Sequence, residues 1–555
     1  MSQFMPPVRE QLLLLEDQPA VAGLDPESVA AILDGAGQIA SDSWAPLRRV
    51  GDREGARWTD EGVRMPTGHH AAYRAFVEGG WGTLGVAQDH GGQGLPFALQ
   101  VAVMDSLGCA NTALTLCPIL TSGAVEALSR HGSAQQQALY LAKLVSGEWT
   151  ATMNLTEPQA GSDVGALRSR ATPREDGGWA ISGTKIFISY GDHDLTDNIV
   201  HLALARTPGA PEGTKGISLF LVPKYRLNPD GTPGAFNDVR AVSIEHKLGL
   251  HASPTCVMSY GEKDDCIGEL IGPEGGGMRA MFTMMNNARL FVGLQGVHVA
   301  EAATQAAVAY AKSRVQSARA GAADRTPVPI IEHADVRRML LRMRALTDAA
   351  RAVVYHVAGL TDAGEADMVA LLTPVAKAYP TDIGCEVASL GIQVHGGMGF
   401  VEETGVAQYY RDARVFPIYE GTNGIQAADL VTRKLTLGSS FDDLMGVIGR
   451  AARNSALGAL ARECAALGNW LRTLRPEQRL AGSTPFLTLI SVTVGGWLLE
   501  GQLAALAGDD GPFATRKRAS IAFYLDQVLP EAVGLVAAVR APSAAVETLP
   551  AEMFA

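Results

Sequence analysis

Six cysteines occur in 555 residues, with no C-x-x-C pair and no zinc-ligand grouping among them. Cys109, Cys117, Cys256, Cys266, Cys385 and Cys464 therefore read as reduced thiols of a cytoplasmic protein, and no metal site is expected. Base is also in short supply. The net charge of −12 disfavours a nucleic-acid partner held by phosphate contacts, and the one basic run, Arg516-Lys517-Arg518, reads as a solvated helix face. No export signal opens the chain, because Leu12 to Leu15 is only four apolar residues between Glu10 and Glu16. No membrane span is expected either. Leu290 to Ala311 has Glu301 as its only acid or base but carries Gln295, His298 and Gln305. Positions 298, 301 and 305 share one helical face, as in a buried bundle helix with a polar stripe. Pro485 to Leu499 is too short to cross a bilayer and contains Gly495-Gly496. Internal repeats and low-complexity tracts are absent, and so is a nicotinamide fingerprint. The glycine-rich Gly272 to Gly277 is not G-x-G-x-x-G and reads as a turn leading into Met278 to Asn286.

What is present is a large apolar fraction, 47%, on a chain long enough for three to four domains. Residues 1–149 read as a helical domain: Ala98 to Leu114 has few breakers, and Ser122 to Val145 repeats apolar residues at helical spacing. Near Thr150 the texture changes. Trp179 to Ile181, Ser182-Gly183 and Lys185 to Ile188 read as strand, tight turn and strand. Ile199 to Ala205 and Ile217 to Val222 are further strand-length runs, so residues 150–272 read as a β domain. Helical texture returns over 273–438, where Ile383, Val387, Leu390 and Val394 fall on one stripe. Residues 439–555, rich in alanine and leucine, read as an added helical extension. The fold class is thus α+β multidomain: helical, β, helical bundle, helical extension.

The most informative stretch is Ile418 to Gln426, where Glu420 lies between Tyr419 and Gly421 just after the apolar Val415-Phe416-Pro417. A carboxylate in apolar surroundings loses hydration, and its pKa rises toward the range of a general base. Glu-Gly-Thr-Asn also spells a surface turn, so that reading stays open on these residues alone. Two further stretches stand upstream: Met153 to Gly165 (MNLTEPQAGSDVG) and Gln393 to Phe400 (QVHGGMGF). In this order and at these separations the three resemble the acyl-CoA dehydrogenase family of flavoproteins, from about Trp81 to about Lys434. The length and the wording around the base look most like a subgroup with a C-terminal extension, which includes enzymes similar to 3-methylthiopropionyl-CoA dehydrogenase.

The resemblance implies FAD as hydride acceptor, because no side chain accepts hydride. It implies α,β-dehydrogenation of an acyl-CoA, of 3-methylthiopropionyl or fatty acyl type, with an electron-transfer flavoprotein as partner and a homo-oligomer, a dimer in extended members. An oxidase using oxygen, and a DNA-associated flavoprotein of the alkylation-response type, are the alternatives. By motif position, Met153, Leu155, Thr156, Gly161 and Ser162 lie in the loop over the flavin. Phe187 and Ser189 stand where the family packs a tryptophan and a threonine against the ring. Arg314 matches an arginine reaching FAD phosphate from a neighbouring subunit, a task its planar fork suits. Gln393, Gly396 and Gly397 match the segment around the adenosine half, and Thr422 a further flavin contact. His395 reads as packing. Glu420 is the expected base. Members that carry the base on a helix place it before an arginine-leucine pair, and here Ala288 precedes Arg289-Leu290. The rival acid, Glu157, sits beside Pro158 in the flavin loop and reads as structural. Asn154, Gln408 and Gly424 depart from the family pattern.

Overall fold

The apolar runs at 199–205 and 217–222 are strands buried along almost their whole length, as continuous Val/Ile/Leu runs require. The computed structural model describes residues 4–541 and 544–554, which divide into two compact units, residues 32–288 and residues 1–31 with 289–555.

In the first unit a helix α1 (Phe97–His131) kinks at Asn111, whose backbone leaves helical geometry (φ −154°, ψ 87°). The Asn111 side chain accepts from Leu114 N at 3.2 Å and so restarts the helix. The helical segments read from sequence are therefore joined through Pro118, and the real break is at Gly132, before a capping box formed by Ser133 and Gln136. The sheet contains β1 (Thr150–Asn154), β2 (Arg170–Pro173), β3 (Trp179–Ser189), β4 (Ile199–Arg206), β5 (Ile217–Pro223), β6 (Val239–Ile244), β7 (Thr255–Tyr260) and β8 (Ile267–Ile271). Its order is β6-β7-β3-β8-β5-β4-β1, with β2 pairing β3 and β4. Pairing is antiparallel except for β1 and β2 against β4.

The hairpin expected at Ser182-Gly183 is not formed; residues 179–189 make one strand. Its first half pairs with β2 and β8, and from Gly183 onward it pairs with β7. Gly183 (φ +145°) marks the change of partner, where a Cβ would stand 2.3 Å from Ser169 Oγ. The glycine reads locally as a turn, but it serves close backbone approach.

The second unit is helical. Long helices α2 (Gly277–Ser313), α3 (Ala334–Asp362) and α4 (Ala366–His395) form the bundle, of which α2 contributes from Arg289 onward. The predicted polar stripe holds: His298 and Glu301 are buried, and Glu301 binds Arg344 and Arg351 at 2.7 and 3.0 Å. On α4, Ile383, Val387 and Val394 are buried and Leu390 is half-buried. Next come α5 (Asn423–Thr432), then α6 (Ser483–Gly501), which buries most of the apolar run from 485 to 499, and α7 (Pro512–Phe523).

The basic run on α7 is not a solvated face. Lys517 is fully buried, bonded to Glu10 and 3.3 Å from Asp348. Lys517 reads as solvent-facing because its acidic partners lie 507 and 169 positions away, beyond any local pattern, while Arg516 and Arg518 beside it stay partly exposed. Two helical stretches among the described residues are long and apolar enough to cross a membrane by length and composition. The apolar window of Phe97–His131 is 100% buried in protein and that of Pro512–Arg540 28%.

Candidate active site

Glu420 closes a turn that follows the buried Phe416, and it holds φ at +54°, a left-handed conformation costly for a side chain of its size. Pinning comes from both sides. Arg289 Nε and Gln426 Nε2 each donate to the Glu420 carbonyl at 3.4 Å. Tyr419 donates its hydroxyl to Gln295, and Asn423 N donates to Pro417 O at 2.9 Å. Burial pushes the Glu420 carboxyl up to about 7, against the pull of the Arg289 and Lys377 charges. A group that titrates there can take a proton near neutral pH and release it afterwards. Thr422 caps α5, accepting from Ile425 N at 3.2 Å, and its own hydroxyl hydrogen remains available to a ligand.

On the same helical unit, Gly396 takes φ +60°, ψ −137°, open to glycine only, and neither Gly396 nor Gly397 has any atom within 4 Å of where a Cβ would stand. Gln393 is exposed beside them. His395 is buried, stacked on Tyr310 at 4.4 Å with Nδ1 2.7 Å from Gly391 O, which agrees with a packing role. Arg314 follows the last turn of α2, exposed, with Nη2 3.3 Å from Gln316 Oε1.

The β unit presents its own set. Phe187 sits at a bulge, where Ile186 and Phe187 face the single residue Val257, and has φ +60°. Bulges re-aim side chains, and the Phe187 ring is 59% exposed. Ser189 is half-buried two residues on. In the loop after β1, Gly161 and Ser162 are exposed, and Gly161 again has nothing within 4 Å of a Cβ position. Met153 and Thr156 are half-buried, while the Leu155 side chain joins the core cluster, so that residue offers backbone rather than side chain to a ligand.

Glu157 is saturated. Its carboxylate accepts from Lys185 Nζ (2.8 Å), Ser169 Oγ (2.6 Å), Ser169 N (3.0 Å) and Arg168 N (2.6 Å). Burial alone would raise its pKa, but the Lys185 charge and these donors bring it to about 2. Such a group holds a loop and takes no proton at neutral pH.

On the β unit the open backbone at Gly161 and the outward aromatic face at Phe187, and on the helical unit the open backbone at Gly396 and Gly397 and the exposed arginine fork at Arg314, are each chemistry that suits part of a flavin dinucleotide. The sequence missed Lys377. It is fully buried on α4 and donates to Asn423 Oδ1 at 2.8 Å. Its one available signal was a single charge inside the run Leu371 to Tyr379.

Four family models match the chain in succession. They are the acyl-CoA dehydrogenase N-terminal domain over residues 31–148, the middle domain over 152–262, the C-terminal domain over 275–435 and an acetyl-CoA dehydrogenase C-terminal-like domain over 449–550. The 3-methylmercaptopropionyl-CoA dehydrogenase of Ruegeria pomeroyi is 44% identical over 95% of this chain and 96% of its own. A butyryl-CoA dehydrogenase of Syntrophomonas wolfei is 35% identical over 94% and 93%. Among solved structures, butyryl-CoA dehydrogenase of Megasphaera elsdenii matches 72% of this chain and 96% of that one at 25% identity, TM-score 0.61. Caenorhabditis elegans ACDH-11 in complex with C11-CoA matches 95% and 93% at 21% identity, TM-score 0.79, a likeness of fold.

Fold and site define a flavoenzyme with a helical–β–helical body and a helical extension. The chain belongs to the acyl-CoA dehydrogenase family. It is an FAD-dependent oxidoreductase that converts an acyl-CoA thioester to its 2-enoyl counterpart.

Proposed function

We propose that Glu420 is the base that removes the α-proton of the acyl thioester. The observation that carries this is a carboxyl held in a left-handed turn with its pKa raised to about 7 by burial. FAD, when bound, supplies acceptance of the hydride from the β-carbon. By motif position, Met153, Leu155, Thr156, Gly161, Ser162, Phe187 and Ser189 on the β unit would contact it; on the helical unit the corresponding family positions are Arg314, Gln393, Gly396, Gly397 and Thr422. Ala288, a buried methyl on the helix where relatives place an alternative base, cannot take a proton, which leaves the role to Glu420.

The substrate is 3-methylthiopropionyl-CoA or a short fatty acyl-CoA. Support comes from 44% identity to the Ruegeria enzyme, ahead of the 35% to a butyryl-CoA enzyme. Electrons leave to an electron-transfer flavoprotein in the cytoplasm. The domains divide at about 149, 272 and 438. The protein is a homodimer, because Met398, Phe400 (89% exposed) and Val401 form an apolar patch beside the Gly396-Gly397 segment. Light scattering on the holoenzyme should return a dimer mass; a monomer or tetramer would refute that assignment.

Anaerobic mixing of the FAD-loaded enzyme with a panel of acyl-CoAs tests the central reading. Wild type should bleach the flavin, fastest with 3-methylthiopropionyl-CoA or a short chain. Glu420→Gln should keep its bound FAD and lose reduction by at least the ~10²–10⁴-fold typical of a general base. Near-normal bleaching by that variant would place the base elsewhere.

A further inference from the structure

A buried lysine ammonium is costly unless it does something that a neutral residue cannot. Lys377 lies on α4 in an apolar stretch, fully buried, and its hydrogen-bond acceptor among the described residues is Asn423 Oδ1 at 2.8 Å. Asn423 is no ordinary acceptor. It is the third residue after Glu420 and the first of α5, and its backbone N–H ties the turn back to Pro417 at 2.9 Å. Its amide nitrogen donates to Asp382 Oδ1 at 2.8 Å and to Thr381 Oγ1 at 3.0 Å. The residue whose backbone N–H ties the base-bearing turn thus has its side chain held by a cation on one side and an anion on the other.

We infer that Lys377 is a positioning residue for the reaction: as a buried cation it orients the Glu420 turn through Asn423 and sets the pH at which Glu420 becomes a competent base. The inference rests on the assignment of Glu420 as that base. A purely structural lysine would satisfy Asn423 and nothing more. Here the charges also act on each other. Burial lowers Lys377 to about 8 while Asp382 and Glu420 oppose that shift, and Lys377 in turn draws Glu420 down.

The groups that face this pair come from three elements. Arg289 on α2 also draws Glu420 down, and is itself flanked by Asp429 and Arg433 of α5 and its end. Asp382 stands on α4 and lines, with Asn423, a cavity of about 310 Å³. With Arg289 constant, removing the Lys377 charge leaves Glu420 to the effect of burial. Its pKa then rises.

The test is the pH profile of anaerobic flavin reduction by acyl-CoA in the FAD-loaded enzyme. Reduction requires ionised Glu420, so the rate climbs with pH through the base's apparent pKa. Lys377→Met should move that limb upward by about one pH unit or more, the size expected for loss of a nearby opposite charge. Near neutrality this appears as a roughly tenfold slower reduction that higher pH restores. Lys377→Arg should return the limb toward wild type. Asp382→Asn, which removes the anion that keeps Lys377 protonated, should move it the same way by a smaller amount. That variant stands in if Lys377→Met fails to fold. A limb that stays in place in these variants, with reduction slowed equally at all pH values, overturns the inference while loss of reduction in Glu420→Gln keeps the base assignment. If Glu420→Gln reduces normally, the base assignment falls and this inference with it.

Discussion

Among the described residues, Glu420 and Phe187 are two of seven non-glycine residues with positive φ, and the sequence singles both out for chemistry rather than conformation. Strain of about 1–3 kcal/mol persists only where the surroundings over-determine it, and these two positions aim a carboxylate and an aromatic face. Glu157 shows the opposite use of a buried acid. Its pKa is brought down to about 2 while burial brings Lys185 down to about 8, so both are charged at neutral pH. The depressed Glu157 favours folding above its unfolded pKa, and the depressed Lys185 opposes folding wherever it is protonated. The two largely cancel, as is common for buried pairs. Glu157→Gln alone should therefore destabilise the protein by about 3–5 kcal/mol, because it strands the Lys185 charge. The double change Glu157→Gln with Lys185→Met should recover much of that loss. Denaturation midpoints of the two singles and the double check this; an additive double would show that the pair is not coupled.

At the level of elements, α2 and α4 approach closely enough to place Lys377 beside the base turn because α2 carries glycine where they cross. A Cβ on Gly293 would stand 1.9 Å from Ala376 O, and one on Gly296 2.1 Å from Pro380 O. Pro380 has no N–H, so the carbonyl four residues back, Ala376, lacks its usual helical donor. The glycine leaves Cα hydrogens facing these carbonyls, a weak but recurrent contact. Gly296→Ala should force the helices apart, cost about 1–3 kcal/mol as overpacking does, and slow flavin reduction by displacing α4. Gly391→Ala is the control. Its Cβ would sit 3.6 Å from Ala303 Cβ, ordinary contact, and alanine improves helix propensity. Thermal midpoints should fall for the first and hold or rise for the second; equal effects would mean that the crossing is not tight.

Across the whole molecule, a buried charge network explains why residues 1–31 group with the C-terminal half. Among the described residues, Glu10, Glu301 and Asp348 meet Arg344, Arg351, Arg516 and Lys517, three acids against four bases. Ser520 adds a donor to Asp348 at 2.8 Å. The network joins the N-terminal helix Val8–Leu15, two bundle helices and α7. Glu301 and Asp348 feel burial first, which would raise them, but the surrounding cations hold both below their ordinary values. Stability from them is present above the unfolded carboxylate pKa and is lost as pH falls from there through their lower folded values. Wild type should thus lose unfolding midpoint steeply between pH 5 and 3. Lys517→Met, which leaves Glu10 and Asp348 facing each other, should lower the midpoint at pH 7 and flatten that acid slope. An unchanged acid slope in the variant would mean that Lys517 is not what holds Asp348 ionised.

Much of this was legible along the chain. The strands at 199–205 and 217–222 and the polar stripe at His298 and Glu301 follow from local spacing and composition, because a strand or a helix face is set by neighbours within a few residues, whereas Glu157 and Glu420 took their readings from their places in family motifs. Family motifs marked the segments proposed to meet the flavin, since a loop's backbone conformation is largely set within the loop. What local order could not reveal depends on partners distant in sequence. Gly183 spells a turn, yet it is a mid-strand position because Ser169 and Tyr260 lie against it. Lys517 spells a solvated charge, yet it is buried because Glu10 and Asp348 fold against it. Lys377 was one charge in an apolar run until the fold set Asn423 in front of it. A charge or a glycine has no fixed meaning in sequence. Its role follows from which dielectric and which atoms the tertiary structure places around it.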